Sequence, residues 1–459
     1  MSRVLVLGLG VTGEAVVRHA AAVGDLVTVV EERPGSERYQ AWARDASARG
    51  VSLVESPRAN AWRELVADTD LVVPSPGVPE GHLALQAARE QGVPVRSEID
   101  LAAEIAPMPI VAIAGTNGKT TVTTLTASML ERSGARTVAA GNIGRPLLDA
   151  VRSDLDVVVA EVSSFQLRFT TAAFRPRVAV LLNVADDHLD WHPSLEEYAQ
   201  AKARVFRNQA DGDLLVCCGD DRVAARLAGE APARRATYHS TSGRPWYRLE
   251  RDVVEGDRAG DLADALGDAL GDGEALEALR PVDRGNAVAA AIAALEVGAG
   301  RDGIRAAIAE FRGLPHRVQP VGKAGGVEYY DDSKATNPHA ALRAIEGFDR
   351  VVLVAGGRNK GLDLSVLRAA VPRLRSVVAI GEAADELERT LAGLVPVVRA
   401  SSMHDAVRAA RSRARAGDTV LLSPACASFD WYENYAQRGE DFAREVQELL
   451  AEEGHGDVG

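Results

Sequence analysis

One segment constrains the fold of this chain more than any other, because an apolar run at residues 110–114 passes directly into Gly115-Thr116-Asn117-Gly118-Lys119-Thr120-Thr121. This order is typical of a buried strand that turns through glycines into a helix, where backbone N–H groups and the helix dipole attract phosphate. In such a loop Lys119 reaches the outer phosphates and the Thr120 hydroxyl binds Mg²⁺. The strict pattern has another glycine where this chain has Ile113, so the loop is a variant, and a plain glycine turn is the alternative. We predict that the chain binds ATP here.

The composition favours a soluble protein of several domains. A length of 459 residues suggests about three domains. The net charge of -13 argues against nucleic acid or an anionic membrane as partner. The three cysteines, Cys217, Cys218 and Cys426, lack metal-ligand spacing and suit a reducing compartment. The first residues lack the layout of a signal peptide, and no apolar run approaches the roughly 18 residues that span a bilayer. We therefore expect a cytoplasmic protein that does not insert into membranes.

Strand, glycine turn and helix units recur near residues 4–13, 110–121 and 351–361. Short β-branched runs alternate with helical stretches rich in alanine, leucine and arginine, which predicts an α/β fold with largely parallel sheets. Among the predicted strands are 110–114, 156–160, 178–182, 327–330, 351–355, 376–380, 395–398 and 419–422. Residues 251–280 are predicted to form a peripheral helix and loop region. Gly313-Leu314-Pro315 predicts a hinge.

A second glycine pattern, Gly8-x-Gly10-x-x-Gly13, follows the first predicted strand, and the next strand ends in Glu31-Glu32. The spacing is close to the dinucleotide fingerprint, in which an acidic residue binds the ribose. An NAD site is one interpretation. The same turn could hold the diphosphate of another nucleotide, or could serve only the packing of helix against strand.

Acidic residues and a histidine follow two predicted strands of the central third. Glu161 comes at the end of one strand, where a carboxylate commonly holds the magnesium of a phosphate-loop protein. His188 follows the next strand in a segment with three aspartates, and it is a candidate metal ligand or base. Lys202 lies in a predicted helix that Ser194 and Glu197 cap, and its spacing alone predicts an ordinary solvent-exposed lysine.

Polar residues also crowd the ends of three strands in the last third. The segments are Tyr330–Pro338, Gly356–Gly361 and Ser423–Asp430, and Leu314-Pro315-His316-Arg317 adds cationic or titratable groups at the hinge. Such density at the carboxyl ends of strands predicts one shared pocket for a small charged substrate. Cys426 could be a nucleophile, but no histidine is positioned beside it by the sequence. A small buried residue is the favoured interpretation.

Together these motifs resemble the Mur ligases of peptidoglycan synthesis, and most closely the branch that adds D-glutamate. The loop at Gly115–Thr121 is shared with folylpolyglutamate synthases, so it indicates only the superfamily. The segments Asp332–Pro338 and Ser423–Ser428 are similar to those of the glutamate-adding branch. The resemblance implies a Rossmann-like domain for the uridine nucleotide at 1–96, a P-loop ATPase-like domain at 97–313 and a Rossmann-like glutamate domain at 314–459.

The resemblance also implies ligands for each substrate. ATP is assigned to Gly115, Thr116, Asn117, Gly118, Lys119, Thr120, Thr121, Asn286, Arg317 and Asp332. The nucleotide sugar is assigned to Gly10, Val11, Thr12, Glu31, Glu32 and Asn142. Glutamate is assigned to Lys334, Thr336, Lys360, Ser428, Phe429 and Tyr435. This chain departs from several relatives in having Arg358 within Gly356–Gly361, whose role stays open, and a hydroxyl on Tyr435.

The implied activity is ATP-dependent amide formation between UDP-N-acetylmuramoyl-L-alanine and D-glutamate, through an acyl phosphate. One Mg²⁺ would be held by Thr120 and Glu161, and a second by His188 and a carbamylated Lys202. Lys119, His188 and Lys202 are the implied catalytic residues, and the protein is expected to be a monomer.

Three alternatives stay open on the sequence alone. The first is a relative that adds L-glutamate. The second is an NAD-dependent oxidoreductase built on the first glycine pattern, which would leave Lys119, Glu161 and His188 without a role. The third is a nucleotide-binding protein without catalysis.

Overall fold

The computed structural model describes residues 1–35, 37–46, 50–187, 191–240, 247–249, 258–271 and 273–456. The chain divides into two compact units. The first comprises Met1–Val184, Glu196–Ala278 and Arg284–Phe311, and the second comprises Ala185–Leu195, Leu279–Asp283 and Arg312–Gly459.

The first unit contains a four-stranded and a seven-stranded sheet. The strands are β1 Arg3–Leu7, β2 Leu26–Glu31, β3 Val51–Glu55, β4 Leu71–Pro74, β5 Ile110–Ala114, β6 Thr137–Gly141, β7 Val157–Glu161, β8 Val178–Leu181, β9 Leu214–Cys218, β10 Arg234–Ser240 and β11 Tyr247–Leu249. The smaller sheet has the order β3-β2-β1-β4 and the larger has the order β11-β10-β9-β8-β5-β7-β6. All pairs are parallel except β10 with β11.

Helices connect these strands, as parallel pairing requires. They are α1 Val11–Ala22, α2 Glu37–Ala46, α3 Ala61–Ala67, α4 Leu83–Gln91, α5 Glu98–Ile105, α6 Lys119–Arg132, α7 Leu147–Ala150, α8 Ser164–Arg168, α9 Leu195–Ala203, α10 Arg222–Ala228, α11 Arg258–Leu270, α12 Glu274–Glu277, α13 Pro281–Glu296 and α14 Arg301–Glu310. The predicted helix and loop region at 251–280 thus contains α11 and α12, and residues 251–257 lie outside the described part.

The second unit contains one six-stranded sheet with the order β12-β13-β17-β14-β15-β16. Its strands are β12 Gln319–Ala324, β13 Val327–Asp331, β14 Val351–Gly356, β15 Leu374–Ile380, β16 Val397–Arg399 and β17 Thr419–Ala425. Its helices are α15 Pro338–Glu346, α16 Ala384–Leu391, α17 Met403–Arg413, α18 Tyr435–Gly456 and a 3-10 helix at Leu364–Arg373. Apolar side chains on both faces of the sheet pack beneath helices, which explains why β14 and β17 are buried throughout.

The edge strand β12 pairs antiparallel with β13 through a turn at Gly325-Gly326, where both glycines have positive φ. The register shifts between Pro320 and Gly322, which marks a bulge. Gln447 of α18 donates a hydrogen bond to the Val321 carbonyl. The sequence analysis did not predict β12, because proline and glycine interrupt its apolar alternation.

The prediction of an α/β fold with largely parallel sheets is confirmed. Two strands extend further than predicted: β7 includes Glu161, and β17 continues through Ser423 and Pro424 to Ala425. None of the described helices is both long enough and apolar enough to cross a membrane.

Candidate active site

The phosphate loop follows β5, a wholly buried strand that lies between β7 and β8 in the larger sheet. The loop ends where α6 begins at Lys119, and Gly118 has a φ of 86°. A Cβ atom on Gly118 would lie 2.5 Å from Oδ1 of Asn286, a residue of α13. Only glycine fits this turn, both for its dihedral angle and for its space. The structure therefore brings Asn286 to the phosphate loop.

The loop backbone is held from β8 and by its own lysine. Asn183 Oδ1 accepts a hydrogen bond from the Asn117 amide at 2.8 Å, and its amide group donates to the Asn117 carbonyl at 3.0 Å. Lys119 Nζ donates to the Gly115 and Thr116 carbonyls, at 2.9 Å each. The Lys119 side chain thus folds back over the loop, at the place where the phosphates of ATP are predicted to bind.

Lys202 is buried, with only 2% of its surface exposed, so the expectation of a solvent-exposed lysine from spacing alone is wrong. Its Nζ donates to the Gly115 carbonyl at 2.7 Å and lies 4.2 Å from the ring centroid of Tyr198. The Tyr198 hydroxyl is in turn 3.3 Å from Thr116 Oγ1. Tyr198 was missed in the sequence analysis. The signal was its spacing of four residues from Lys202, which puts both on one helical face.

Glu161 lies at the end of β7, paired in register with Ile113 of β5. Its carboxylate is buried, and Oε1 accepts a hydrogen bond from Asn142 Nδ2 at 2.8 Å. Oε2 accepts no hydrogen bond within the described residues, although water cannot reach it. An unsatisfied buried carboxylate oxygen is costly, and a divalent cation that prefers oxygen ligands would satisfy it. The residues present therefore fit Mg²⁺. His188, the other predicted metal ligand, lies outside the described residues.

The first glycine pattern forms a tight turn between β1 and α1. A Cβ atom on Gly13 would lie 2.1 Å from the Gly8 carbonyl oxygen, so this glycine lets the helix approach the strand. Glu31 Oε2 accepts a hydrogen bond from the Leu9 amide at 2.9 Å. Glu31, one of the two predicted acidic ligands, therefore stabilises the glycine turn through this hydrogen bond.

Of the other predicted nucleotide-sugar ligands here, Val11 and Thr12 open α1 directly after Gly10. Glu32 Oε2 lies 3.2 Å from Nε2 of His82, whose Nδ1 accepts from the Ala84 amide. Because Nδ1 accepts, Nε2 carries the proton and donates to Glu32. The sequence analysis missed His82.

In the second unit Asp332 follows β13 and is buried. Oδ2 accepts from the Ser423 hydroxyl at 2.7 Å, and Oδ1 from the Val318 amide at 3.2 Å. Burial raises the pKa of Asp332 to about 7, against the opposing effects of the Ser423 hydrogen bond and of Arg317. Arg317 and Asp332, both assigned to ATP by the resemblance, therefore lie within electrostatic range of each other.

Lys360, which is partly buried, and Asp187, which is buried, form an ion pair with Nζ 2.7 Å from Oδ1. Asn337 Nδ2 donates to Oδ2 of the same carboxylate at 3.1 Å. Asp187 was not among the predicted ligands, although it stands next to His188 in the acidic segment. A buried charge needs such a partner, so Asp187 fixes the Lys360 side chain.

The remaining predicted glutamate ligands follow β13 and β17 in the chain. Lys334 Nζ is 5.0 Å from the Tyr435 ring centroid, and the Thr336 amide donates to the Lys334 carbonyl at 2.9 Å. Ser428 is buried, whereas Phe429 is 62% exposed. Lys334 and Thr336 thus follow β13, and Ser428 and Phe429 follow β17, which pairs with β13; the shared pocket stays a prediction.

Arg358 joins two of the polar loops. Its backbone exchanges hydrogen bonds with Ala427 at 2.9 and 3.0 Å. Its guanidinium binds both carboxylate oxygens of Glu382, at 3.0 and 2.7 Å, on the surface. The substitution in this loop therefore adds a surface ion pair.

Arg438, at 1% exposure, crosses beneath the same loops. It donates to the Ser333 hydroxyl and carbonyl at 2.9 and 2.8 Å, and to the Cys426 carbonyl at 3.1 Å. Burial raises the pKa of the Cys426 thiol to about 12, so Cys426 is a buried, unreactive residue as expected.

Three family models match the chain: "Mur ligase MurD-like, N-terminal domain" at 2–97, "Mur ligase middle domain" at 113–262 and "Mur ligase, glutamate ligase domain" at 316–426. Curated proteins named UDP-N-acetylmuramoylalanine--D-glutamate ligase are similar over nearly their full length. The protein of Desulfosudis oleivorans is 40% identical, over 97% of this chain and 96% of its own. That of Desulfatibacillum aliphaticivorans is 41% identical, over 98% and 99%.

Solved structures share the fold at lower identity. A pseudomurein peptide ligase type C from Methanothermus fervidus has a TM-score of 0.56 at 18% identity, covering 98% of this chain and 100% of its own. Mycobacterium tuberculosis folylpolyglutamate synthase complexed with ADP has a TM-score of 0.53 at 19% identity, over 75% and 93%. With full-length relatives at 40% identity and three matching domain models in the expected order, the chain belongs to the Mur ligase family.

Proposed function

We propose that this chain is an ATP-dependent ligase that joins the alanyl carboxylate of UDP-N-acetylmuramoyl-L-alanine to the amine of D-glutamate, as a cytoplasmic monomer. The observation that carries the proposal is the phosphate loop with Lys119 and, one strand away, a buried carboxylate of Glu161 with an unsatisfied oxygen. The names of the full-length relatives supply the substrates. The proposed domains are 1–96, 97–313 and 314–459, in the order nucleotide sugar, ATP and glutamate.

A carboxylate does not react with an amine until it carries a leaving group. The alanyl carboxylate attacks the γ-phosphorus of ATP, which forms an acyl phosphate and releases ADP. The neutral glutamate amine then attacks the acyl carbon, the tetrahedral intermediate loses one amine proton to water, and it expels inorganic phosphate to leave the amide. The first step brings together two anions, so positive charge at the phosphates dominates the barrier.

Lys119 would supply part of this charge by exchanging its bonds to the loop carbonyls for phosphate oxygens. Thr120 and Glu161 would hold one Mg²⁺, and Lys202, as a carbamate, would hold a second with His188. Bound Mg²⁺ supplies charge neutralisation at the phosphate oxygens. A carbamate on Lys202 would offer anionic oxygens to Mg²⁺ and would keep one N–H that can still donate to the Gly115 carbonyl.

The remaining proposed ligands divide between the other two substrates and the nucleotide. Asn286, Arg317 and Asp332 would bind ATP, and Gly10, Val11, Thr12, Glu31, Glu32 and Asn142 would bind the nucleotide sugar. Lys334, Thr336, Lys360, Ser428, Phe429 and Tyr435 would bind glutamate. Cationic and hydroxyl groups in the last set match the two carboxylates of glutamate.

The test is phosphate release by the purified chain with ATP, Mg²⁺ and UDP-N-acetylmuramoyl-L-alanine, with D-glutamate and L-glutamate in parallel. We expect release that depends on D-glutamate and that Lys119→Ala abolishes. Lys323→Ala is the matched control, because Lys323 is an exposed lysine paired with Glu328 on the surface. Release with L-glutamate alone would change the substrate, and no release with either would refute the proposal.

A further inference from the structure

The loop before β12 contains an unusual backbone. Gly313, His316 and Val318 all have positive φ, at 90°, 58° and 46°. A β-branched residue such as Val318 rarely adopts this conformation, because its Cβ atom crowds the backbone. Arg317 lies between the two strained non-glycine residues. Such strain persists only where surrounding contacts fix the backbone.

One arginine contacts this backbone at the strained point. Arg280 Nη1 donates to the carbonyls of Arg317 and Val318, at 2.5 Å each. A Cβ atom on Gly313 would lie 2.4 Å from Arg280 Nη2, so the glycine at the predicted hinge also makes room for the guanidinium. The side chain of Arg280 is only 24% exposed.

Asp283 holds Arg280 in this position. Its Oδ2 accepts from Nε at 2.9 Å and lies 2.6 Å from Nη2. The Asp283 amide also donates to the Arg280 carbonyl at 2.9 Å, in the first turn of α13. Asp283 is buried, which raises its pKa, while Arg280 and Arg317 oppose that rise. One carboxylate is therefore close to both guanidinium groups.

Other contacts hold the flanks of the loop. His316 Nδ1 is 2.6 Å from Asp331 Oδ2, and the His316 carbonyl accepts from the Lys334 amide at 3.1 Å. The Val318 amide donates to Asp332. These bonds fix the loop from the β13 side, and Arg280 binds the two carbonyls at its centre.

We propose that Arg280, oriented by Asp283, is a positioning residue that fixes the strained loop at residues 313–318 and so presents Arg317 to the nucleotide. The inference rests on the proposed function for the role of Arg317, but the loop geometry does not depend on it. The hydrogen bonds of Arg280 described above go to the loop backbone and to Asp283. Loss of Arg280 should therefore weaken ATP binding more than it slows turnover at saturating ATP.

The experiment compares Arg280→Ala, Arg280→Lys and Asp283→Asn with the full-length wild-type chain. Amide hydrogen exchange of residues 313–318 is measured without ligands, and KM and kcat are measured with ATP as the varied substrate. We expect Arg280→Ala to speed exchange in this loop and to raise the KM for ATP about tenfold, with kcat changed less. Arg280→Lys should change both quantities in the same direction but less, because lysine keeps the positive charge and lacks the several fixed donors of the guanidinium group. Arg301→Ala is the control, because Arg301 is an exposed arginine near the start of α14.

A rescue measurement separates positioning from general damage. Millimolar guanidinium ion added to Arg280→Ala should lower the KM for ATP toward the wild-type value and leave Arg301→Ala unaffected. Unchanged exchange and unchanged KM in Arg280→Ala would overturn the inference. If Arg280→Ala does not fold, Arg280→Lys and Asp283→Asn give the same comparison. If the wild-type chain has no ligase activity, the proposed function fails, and the exchange rates alone decide whether Arg280 fixes the loop.

Discussion

Glu98 offers a sharp test of how burial sets stability in the first unit. It is the first residue of α5 and is 1% exposed. Oε1 accepts from the Leu148 amide at 2.5 Å, and Oε2 accepts nothing within the described residues. Burial raises the pKa of Glu98 from 4.5 to about 7, opposed by the backbone hydrogen bonds from Leu148 and Leu147 and reinforced by the charge of Asp149. The change considered is Glu98→Gln, which keeps the shape and removes the charge.

The direction of the pKa shift decides whether ionised Glu98 stabilises or destabilises the folded protein. A carboxyl group whose pKa is raised on folding costs nothing below the unfolded pKa, and its cost grows until pH passes the folded pKa. At about 1.4 kcal/mol per pKa unit the full cost is about 3.5 kcal/mol, of which about 2 kcal/mol develops between about pH 5.5 and 8.5. Glutamine has no such pH dependence, but its amide leaves an unpaired donor that costs about 1–2 kcal/mol at every pH.

We therefore expect Glu98→Gln to match wild type near pH 5.5 and to exceed it by about 2 kcal/mol near pH 8.5. The assay is the amide protection factor of Leu148, corrected for intrinsic exchange at each pH, which reports the stability of this region alone. Glu131→Gln, at an exposed position of α6, is the control and should show no pH-dependent difference. A constant difference across the pH range would refute the reasoning that burial of the charge sets the cost.

Three further changes test other contacts. Gly13→Ala should destabilise the first sheet by about 2–4 kcal/mol, because its Cβ atom would meet the Gly8 carbonyl. A calorimetric melt with an unchanged midpoint would contradict this. Arg438→Met should leave two loop carbonyls without a donor, at a cost of about 1–3 kcal/mol each, and should raise the KM for glutamate. An unaltered KM would show that glutamate binding does not depend on the hydrogen bonds of Arg438 to these loops. Asp187→Asn should remove the negative charge that pairs with Lys360 and raise the KM for glutamate several-fold, with the KM for ATP as the internal control.

The elements that the sequence predicted well are those in which local pattern and environment agree. The bounds of β5 are as predicted, because a short apolar run rich in β-branched residues that ends in a glycine turn is typical of a buried strand. Strand ends were less accurate where polar residues continue a strand, as Ser423 and Pro424 do in β17. These residues pair with distant segments of the chain, so the local sequence pattern does not show that the strand continues through them.

The candidate site was predictable to the same extent. The phosphate loop and Glu161 are visible because strand, turn and acid follow one another in the sequence. The burial of Lys202 is not visible, since it depends on the packing of α9 beneath the loop. Asp187 contacts a residue 173 positions away, and Arg280 contacts one 37 positions away. Contacts over such separations produce no periodic pattern in a single sequence, so they could not be predicted from it.

The edge strand β12 has a consequence for how the protein behaves among its own copies. An open edge exposes a row of amide and carbonyl groups on which a strand of another molecule can pair, and this is a route to fibrous aggregation. Pro320 removes one donor from that row, the bulge after it breaks the regular spacing, and the charge of Lys323 must be desolvated by any incoming chain. This edge therefore resists a seventh strand, and copies of the protein can accumulate in a crowded cell without joining through it.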